Sequence, residues 1–155
     1  MNNTNRYINK SILGIFAHPD DETSSAGCTF TKFAQMGANV TVITATRGEL
    51  GSLGTGDLSV SREELPAVRE RELIKVLSLF GANPPILLGY KDQEVELQKT
   101  EVISERLRDH MELIQPDVVI TFGPQGISRH SDHIAIHQAA LSAFNLYKRD
   151  TDKKV

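Results

Sequence analysis

The sequence predicts an α/β fold, a Rossmann-like three-layer α/β/α sandwich with a mainly parallel sheet. Short apolar runs of strand length alternate with longer segments of helical spacing, and the alternation continues through four strand–helix pairs. Each cluster of unusual polar residues also directly follows a strand, as expected when all strands point the same way. Because crossovers between parallel strands are right-handed, the expected strand order is 3-2-1-4.

Two strand–helix pairs occupy the first half of the chain. Residues 11–17 form an apolar run of strand length, and residues 24–37 repeat apolar side chains at helical spacing. Residues 39–46 are rich in β-branched side chains and predict the second strand. A glycine-rich loop follows, and the second helix is expected to carry Pro66 in its first turn and to end before Gly81.

The second half repeats the pattern. Residues 85–89 predict the third strand, residues 100–114 the third helix, residues 117–123 the fourth strand and residues 131–147 the fourth helix. A sheet that stopped at strand 4 would leave that strand at an open edge, so we expect further strands after residue 155. Residues 1–155 are therefore interpreted as a single domain that is incomplete at its C-terminal end.

Charge and composition exclude several classes of function. The net charge of −3 provides no basic surface for nucleic acid, and no apolar run approaches the roughly 18 residues of a membrane span. The N-terminus lacks an apolar leader, so the expected location is cytoplasmic. The single cysteine, Cys28, excludes an internal disulfide and is predicted to be a small buried group of the first helix. The sequence is compatible with a homo-oligomer but does not determine the oligomeric state.

Histidine and carboxylate clusters follow strands 1 and 4, at residues 18–21 and 130–133. In a 3-2-1-4 sheet the strand order reverses between these two strands, so both clusters should converge at the carboxyl edge. Two imidazoles with a carboxylate suit zinc or another divalent first-row ion, and catalytic zinc leaves one position for water. The residue types therefore predict a metal-assisted amide or ester hydrolase, without deciding whether Asp20 or Asp21 is the ligand.

These motifs resemble those of the PIG-L/LmbE-like family of zinc-dependent N-acetylglucosaminyl de-N-acetylases. The similarity runs through most of the chain in five segments: AHPDDE (17–22), TRGE (46–49), VREREL (68–73), LLGYKD (87–92) and GPQGISRHSDHIAIH (123–137). In the last segment the family usually has Gly-His-Pro-Asp-His, whereas this chain has Arg129 and Ser131 in place of the glycine and the proline. Ser128 stands where family members often carry a tyrosine.

The resemblance implies a hydrolase that removes an N-acetyl group from an N-acetylglucosamine-type sugar or glycoconjugate through a metal-activated water. It implies Zn²⁺ as cofactor, with Fe²⁺ or another divalent first-row ion as the alternative, and a small acetamido-sugar as the partner molecule. By the same resemblance, the metal ligands are His18, Asp21 and His133. The catalytic residues are Asp20 as general base, His130 as electrophilic or acid group and Asp132 as the residue that orients His130. The substrate-binding residues are Glu49, Arg69 and Asp92.

Other interpretations of the same residues stay open at this point. The enzyme alternative is an amidase acting on sugar–thiol conjugates, and the binding alternative is a non-catalytic nucleotide- or sugar-binding α/β module. The chain has neither glycine-rich phosphate-binding pattern, which argues against the nucleotide module. Asp20 or Asp21 could instead cap the first helix, Arg69 could form a surface ion pair with Glu72, and His137 could replace a ligand one turn after His133.

Overall fold

The computed structural model describes residues 6–151, which form a four-stranded sheet of order β3-β2-β1-β4 with all neighbours parallel. The strands are β1 (Ser11–Phe16), β2 (Asn39–Thr44), β3 (Ile86–Leu87) and β4 (Val118–Ile120). β1 pairs with β2 from Ser11 opposite Asn39 to Phe16 opposite Thr44. The predicted α/β class and strand order are confirmed, while the strands expected after residue 155 lie outside the described residues.

Helices separate the strands. They are α1 (Asp21–Gln35), α2 (Leu65–Phe80), α3 (Thr100–Ile114), the four-residue turn α4 (Gly126–Arg129) and α5 (Ser131–Thr151). The helix α2 has Pro66 in its first turn, and Gly81 follows in a left-handed conformation, as the sequence predicts. Across residues 6–151, no helix is both long and apolar enough to cross a membrane.

The core lies on both faces of the sheet. All six residues of β1 are buried, because β1 is central and is covered from two sides. The helix α1 packs against α2 and the sheet, and α3 packs against α5, which also contacts β1. Right-handed crossovers assign these two helix pairs to opposite faces. This three-layer arrangement fixes the ends of β1 and β4 beside each other.

Element boundaries differ from the prediction where tertiary contacts decide them. The helix α1 begins at Asp21, three residues early, and the side chains of its first two residues, Asp21 and Glu22, accept the backbone N–H groups of His18 and Asp20 in the preceding turn. β3 and β4 contain only two and three residues, although longer apolar runs surround them. Both are edge strands and pair on one side only, so fewer of their residues are held in the ladder.

The prediction for Cys28 is wrong, since its side chain is exposed. The buried face of α1 carries Ala26, Gly27 and Phe30. Each helical residue is turned by about 100° from the one before it, so a neighbour of a buried residue can point to solvent. Small size and low polarity did not reveal which side of the helix Cys28 occupies.

Candidate active site

A cavity of about 360 Å³ opens at the carboxyl edge of the sheet, where the segments after all four strands meet. It brings together seven of the nine predicted site residues: His18, Asp20, Asp21, Arg69, Asp92, His130 and His133. Its wall also contains Gly48 and Leu50 to Ser52 from the glycine-rich loop after β2, together with Gln93. Asp132 and Glu49 do not line the cavity. Each contacts a residue that does: Asp132 contacts His18, and Glu49 contacts Asp92.

Carboxylate side chains stabilise the turn between β1 and α1 by accepting hydrogen bonds from its backbone. The backbone N–H of His18 donates to Asp21 Oδ2 at 2.7 Å, and the N–H of Asp20 donates to Glu22 Oε2 at 3.0 Å. Glu22 is fully buried and also accepts a hydrogen bond from the Thr23 hydroxyl. Asp20 has a φ of 107°, which is a strained conformation for a residue other than glycine. The acidic run therefore shapes the turn as well as supplying functional groups.

Three side chains of the two motifs form a compact group of potential metal ligands. The ligand atoms of His18, Asp21 and His133 lie within 4.8 Å of one another. His18 Nδ1 is 3.2 Å from His133 Nε2, and Asp21 Oδ1 is 3.3 Å from the same nitrogen. Two imidazole nitrogens and one carboxylate match the three-ligand set of catalytic zinc sites, which leave one position for water. These residues could hold a metal ion.

A second group of this kind shares His18. The ligand atoms of His18, Asp92 and His130 also lie within 4.8 Å of one another. Asp20, by contrast, belongs to neither group. Of the two aspartates, Asp21 is the one whose carboxylate lies beside both imidazoles, 3.4 Å from His18 Nδ1 and 3.3 Å from His133 Nε2.

The ring of His133 is held by two contacts. Its Nδ1 is 3.0 Å from the carbonyl oxygen of Gly126, to which it can donate, and the ring stacks on Phe122 with centroids 4.2 Å apart and planes at 5°. The other ring nitrogen, Nε2, then carries the lone pair that faces His18 and Asp21. Backbone and aromatic contacts therefore fix the orientation of the His133 ring, with Nε2 directed toward His18 and Asp21.

The ring of His18 is held by carboxylates on its other side. His18 Nε2 lies 3.1 Å from Asp132 Oδ2 and 3.0 Å from Asp92 Oδ1. Asp132 is fully buried, and its carboxylate also accepts the N–H groups of Gln93 at 2.8 Å and Val95 at 3.1 Å. A carboxylate behind a ligating histidine fixes the tautomer and raises its basicity.

Asp132 contacts both His18 and His130, but through different atoms. Its carboxylate contacts His18, whereas its contact with His130 is the backbone N–H, which donates to His130 Nδ1 at 3.2 Å. With Nδ1 accepting, a neutral His130 ring carries its proton on Nε2. The rings of His130 and His18 lie with centroids 4.8 Å apart, so His130 stands directly beside the ligand group.

Electrostatics make this pocket attractive to a cation. Burial lowers the pKa of His18, but the hydrogen bonds and charges of Asp132, Asp21 and Asp92 outweigh it and raise that pKa to about 10. Burial raises the pKa of Asp132, but the contact with His18 more than offsets this and the net pKa is lowered. Burial also raises the pKa of Asp20, despite the neighbouring Arg69. A metal ion would replace the proton that the carboxylates hold on His18.

Arg69 connects the cavity wall to α2. Its Nη2 lies 2.5 Å from Asp20 Oδ2 and also donates to the carbonyl oxygen of Pro19. Its Nη1 lies 2.9 Å from Glu72 Oε2, so the ion pair that the i,i+3 spacing allowed is present. Arg69 therefore holds the Asp20 side chain, while Glu22 holds its backbone N–H.

Asp92 and Glu49 link the loops after β2 and β3. The N–H of Asp92 donates to Glu49 Oε2 at 3.1 Å, and the N–H of Leu50 donates to Asp92 Oδ2 at 2.9 Å. Asp92 is buried and touches His18 with its other oxygen. Glu49 is consequently one contact away from the cavity, through Asp92.

Three residues that contribute to the site, Glu22, Phe122 and Gln93, were not among the predicted site residues. In the sequence, Glu22 is typical of a helix-capping residue and Phe122 of an ordinary strand residue. Gln93 is uncharged, so its residue type did not indicate a role in the site. The resemblance between AHPDDE and the family motif was the only available signal for Glu22. His137 Nδ1 lies 2.7 Å from the carbonyl oxygen of Phe122, to which it can donate, and His137 does not line the cavity, so it is not positioned there in place of His133.

Comparisons with known proteins place these motifs in a family context. The PIG-L family, described as GlcNAc-PI de-N-acetylase, matches residues 13–144. A 1D-myo-inositol 2-acetamido-2-deoxy-alpha-D-glucopyranoside deacetylase of Kineococcus radiotolerans is 29% identical over 91% of this chain and 46% of its own length. A probable N-acetyl-alpha-D-glucosaminyl L-malate deacetylase 2 of Bacillus cereus is 28% identical over 88% of this chain and 61% of its own length.

Solved structures agree on the fold. The N,N'-diacetylchitobiose deacetylase from Pyrococcus horikoshii superposes with a TM-score of 0.76 at 31% identity, covering 92% of this chain and 54% of that protein. The chain thus spans between about half and three fifths of the length of the relatives it matches.

Proposed function

Because the chain belongs to the PIG-L family of GlcNAc-PI de-N-acetylases, we propose that it hydrolyses the N-acetyl group of an N-acetylglucosamine-type sugar or glycoconjugate in a metal-dependent reaction. The observation that carries the proposal is the ligand group of His18, Asp21 and His133 at the wall of an open cavity. The deacetylase names of the relatives support the reaction type.

We propose Zn²⁺ as the metal, held by His18, Asp21 and His133, with Fe²⁺ as the alternative. The donor set of two imidazoles and one carboxylate fits either ion and favours first-row metals over calcium or magnesium. When bound, such an ion would act as a Lewis acid and lower the pKa of a water molecule toward about 7. The remaining chemistry falls to the side chains around it.

Asp20 is the proposed general base. Its carboxylate lines the cavity next to Asp21, stays outside the ligand group and has a raised pKa, which makes it a better proton acceptor near neutral pH. Proton transfer requires Asp20 to exchange its contact with Arg69 for one with water, and Arg69 remains paired with Glu72 in the meantime.

His130 is the proposed electrophilic or acid group. Its Nδ1 accepts the backbone N–H of Asp132, so Nε2 can donate to the acetyl carbonyl oxygen and later to the departing amine. Asp132 supports this chemistry as a positioning residue: its carboxylate orients His18, and its backbone orients His130.

Arg69, Asp92 and Glu49 are the proposed sugar-contacting residues. Arg69 and Asp92 line the cavity and offer donors and acceptors to hydroxyl groups, while Glu49 supports Asp92. Homo-oligomerisation and a cytoplasmic location remain predictions from the sequence.

Metal analysis combined with an acetate-release assay tests the proposal. The purified chain should contain about one equivalent of zinc or iron and should release acetate from N-acetylglucosamine glycosides. The Asp20→Asn variant should keep the metal and lose about 10³-fold in kcat. Release from sugar–thiol conjugates but not from N-acetylglucosamine glycosides would favour the amidase, and a metal-free, inactive wild-type protein would favour a binding module.

A further inference from the structure

The glycine-rich loop after β2 forms one wall of the cavity. Gly48 and residues 50–52 belong to the lining, and Leu50 is the only large aliphatic side chain among the lining residues that the structure describes. Leu50 is also 51% exposed. In a wall made mainly of charged and polar groups, its side chain offers an apolar surface against which the C–H face of a sugar ring can pack.

The composition of this loop does not fix its position. Four glycines lie within residues 48–56, and glycine loses more conformational freedom on ordering than any other residue. A loop of this kind needs contacts with neighbouring segments before it can present a defined wall. On its inner side, the N–H of Leu50 donates to Asp92 Oδ2 at 2.9 Å.

Arg62 supplies the contact on the other side of the loop. Its Nη1 donates to the carbonyl oxygen of Glu49 at 2.7 Å and to that of Gly51 at 2.9 Å. These two residues flank Leu50 in the chain. Hydrogen bonds from a charged donor are shorter and stronger than those from a neutral one, so the pair of bonds from one guanidinium restrains the backbone around Leu50.

The segment that carries Arg62 is itself held in place just before α2. Glu64 Oε2 accepts the N–H of Ser61 at 3.1 Å, and Ser61 Oγ accepts the N–H of Glu64 at 3.2 Å. Reciprocal bonds of this type stabilise the chain where it enters a helix. Arg62 is exposed and does not line the cavity, so it can act on a bound substrate only through the loop.

We propose that Arg62 is a positioning residue for the substrate: by holding the carbonyl groups of Glu49 and Gly51, it keeps Leu50 in the cavity wall as the apolar contact for the sugar ring. This inference rests on the proposed deacetylase function and adds a residue outside the cavity to the groups that bind the substrate. The contact is remote from the reacting groups, so its loss should raise KM and leave kcat nearly unchanged.

Steady-state kinetics of acetate release from an N-acetylglucosamine glycoside test this role. Arg62→Gln should raise KM about fivefold and change kcat by less than about twofold. Arg62→Lys should recover most of the affinity, because both hydrogen bonds come from one nitrogen and a lysine ammonium can also donate twice. Arg71→Gln is the matched control, since Arg71 is an exposed arginine of α2 outside the cavity lining, and both constants should stay unchanged.

A double-mutant cycle tests whether Arg62 acts through Leu50. Leu50→Ala keeps the backbone N–H that donates to Asp92 but removes the apolar surface, and it should raise KM by a similar factor. Adding Arg62→Gln to Leu50→Ala should then raise KM no further. Additive increases would overturn the proposed route from Arg62 to the substrate.

Chymotrypsin cleavage measures the position of the loop without any substrate. The protease also cleaves after leucine, and the loop contains Leu50, Leu53 and Leu58. Arg62→Gln should be cleaved in the loop about five times faster than the wild type, because cleavage requires the loop to leave its place in the wall. Arg71→Gln should be cleaved at the wild-type rate.

Either an equal cleavage rate or an equal KM in the wild type and Arg62→Gln would overturn the proposal. A lower Tm and a lower kcat with unchanged KM would assign Arg62 a general structural role instead. If the wild type releases no acetate from N-acetylglucosamine glycosides while Arg62→Gln is still cleaved faster, the proposed deacetylase function fails and the contact between Arg62 and the loop is supported.

Discussion

The two histidine-bearing turns of the site are constructed in different ways. In the turn after β1, side chains close the structure: Asp21 and Glu22 are buried and accept the backbone N–H groups of His18 and Asp20. In the turn after β4, backbone groups close it: the N–H of Gly126 donates to Gly123, and His133 contacts the Gly126 carbonyl.

This difference explains where the chain keeps and where it departs from the family motif. A turn made by specific carboxylates needs those residues, and AHPDDE is intact. A turn made by backbone carbonyls accepts other side chains at its exposed positions, and Arg129 and Ser131 replace the usual glycine and proline there. The exposed positions of the second turn therefore tolerate substitutions that the buried carboxylates of the first turn do not.

The largest expected effect comes from removing Asp21, the proposed metal ligand at the start of α1. Asp21→Ala should lose the bound metal and at least about 10⁴-fold in kcat, because it deletes a ligand and leaves the His18 N–H without its acceptor. Elemental analysis and acetate release measure the two effects. Asp20→Asn is the matched control one residue away, and metal loss in both variants would contradict the division of roles between them.

The second-largest effect is expected at Asp132, which contacts His18 of the first turn and His130 of the second. Asp132→Asn weakens the buried contact with His18 and with two backbone N–H groups. We expect metal affinity to fall by about 10- to 100-fold, as for other residues that orient a ligating histidine. Competition with a chelator measures the affinity. Unchanged affinity with reduced kcat would indicate that Asp132 acts on His130 instead.

A smaller effect is expected in the second turn at Gly126. A Cβ at this position would lie 2.7 Å from the Cβ of His133, and the backbone has φ 60°. Gly126→Ala should therefore displace His133 and lower metal affinity about tenfold, together with a lower Tm. Gly89→Ala is the control, because its φ of 75° gives similar strain but no atom lies within 4 Å of the added Cβ. Equal losses in both variants would exclude a specific effect on His133.

The smallest effect concerns Glu22 and the strained Asp20. Glu22→Ala removes the acceptor of the Asp20 N–H, and we expect kcat to fall about fivefold with the metal retained. Glu22→Gln keeps a carbonyl acceptor and should recover most of the rate. In an Asp20→Asn background, Glu22→Ala should have no further effect, and an undiminished effect there would show that Glu22 does not act through Asp20.

The parallel strand order and the convergence of the two histidine clusters were predictable from local patterns, whereas Arg69 and Asp92 were implied by the family resemblance. Alternating strand and helix signals required a parallel sheet, and handedness then restricted the order. The strand ends placed the clusters of His18 and His133 at one edge. The short length of β3 and β4 was not predictable, because the hydrophobicity of a segment does not show whether it pairs with a neighbour on one side or on both.

The sequence by itself determined the fold class, the edge of the sheet that holds the site and the residue types that meet there, since each follows from short-range pattern and chain direction. Only the tertiary structure decided which atoms face each other. It directed the Asp132 carboxylate to His18 rather than to His130, paired Asp20 with Arg69 and turned Cys28 to solvent. Ring and carboxylate orientations depend on contacts with residues dozens of positions away, and no local pattern records these contacts.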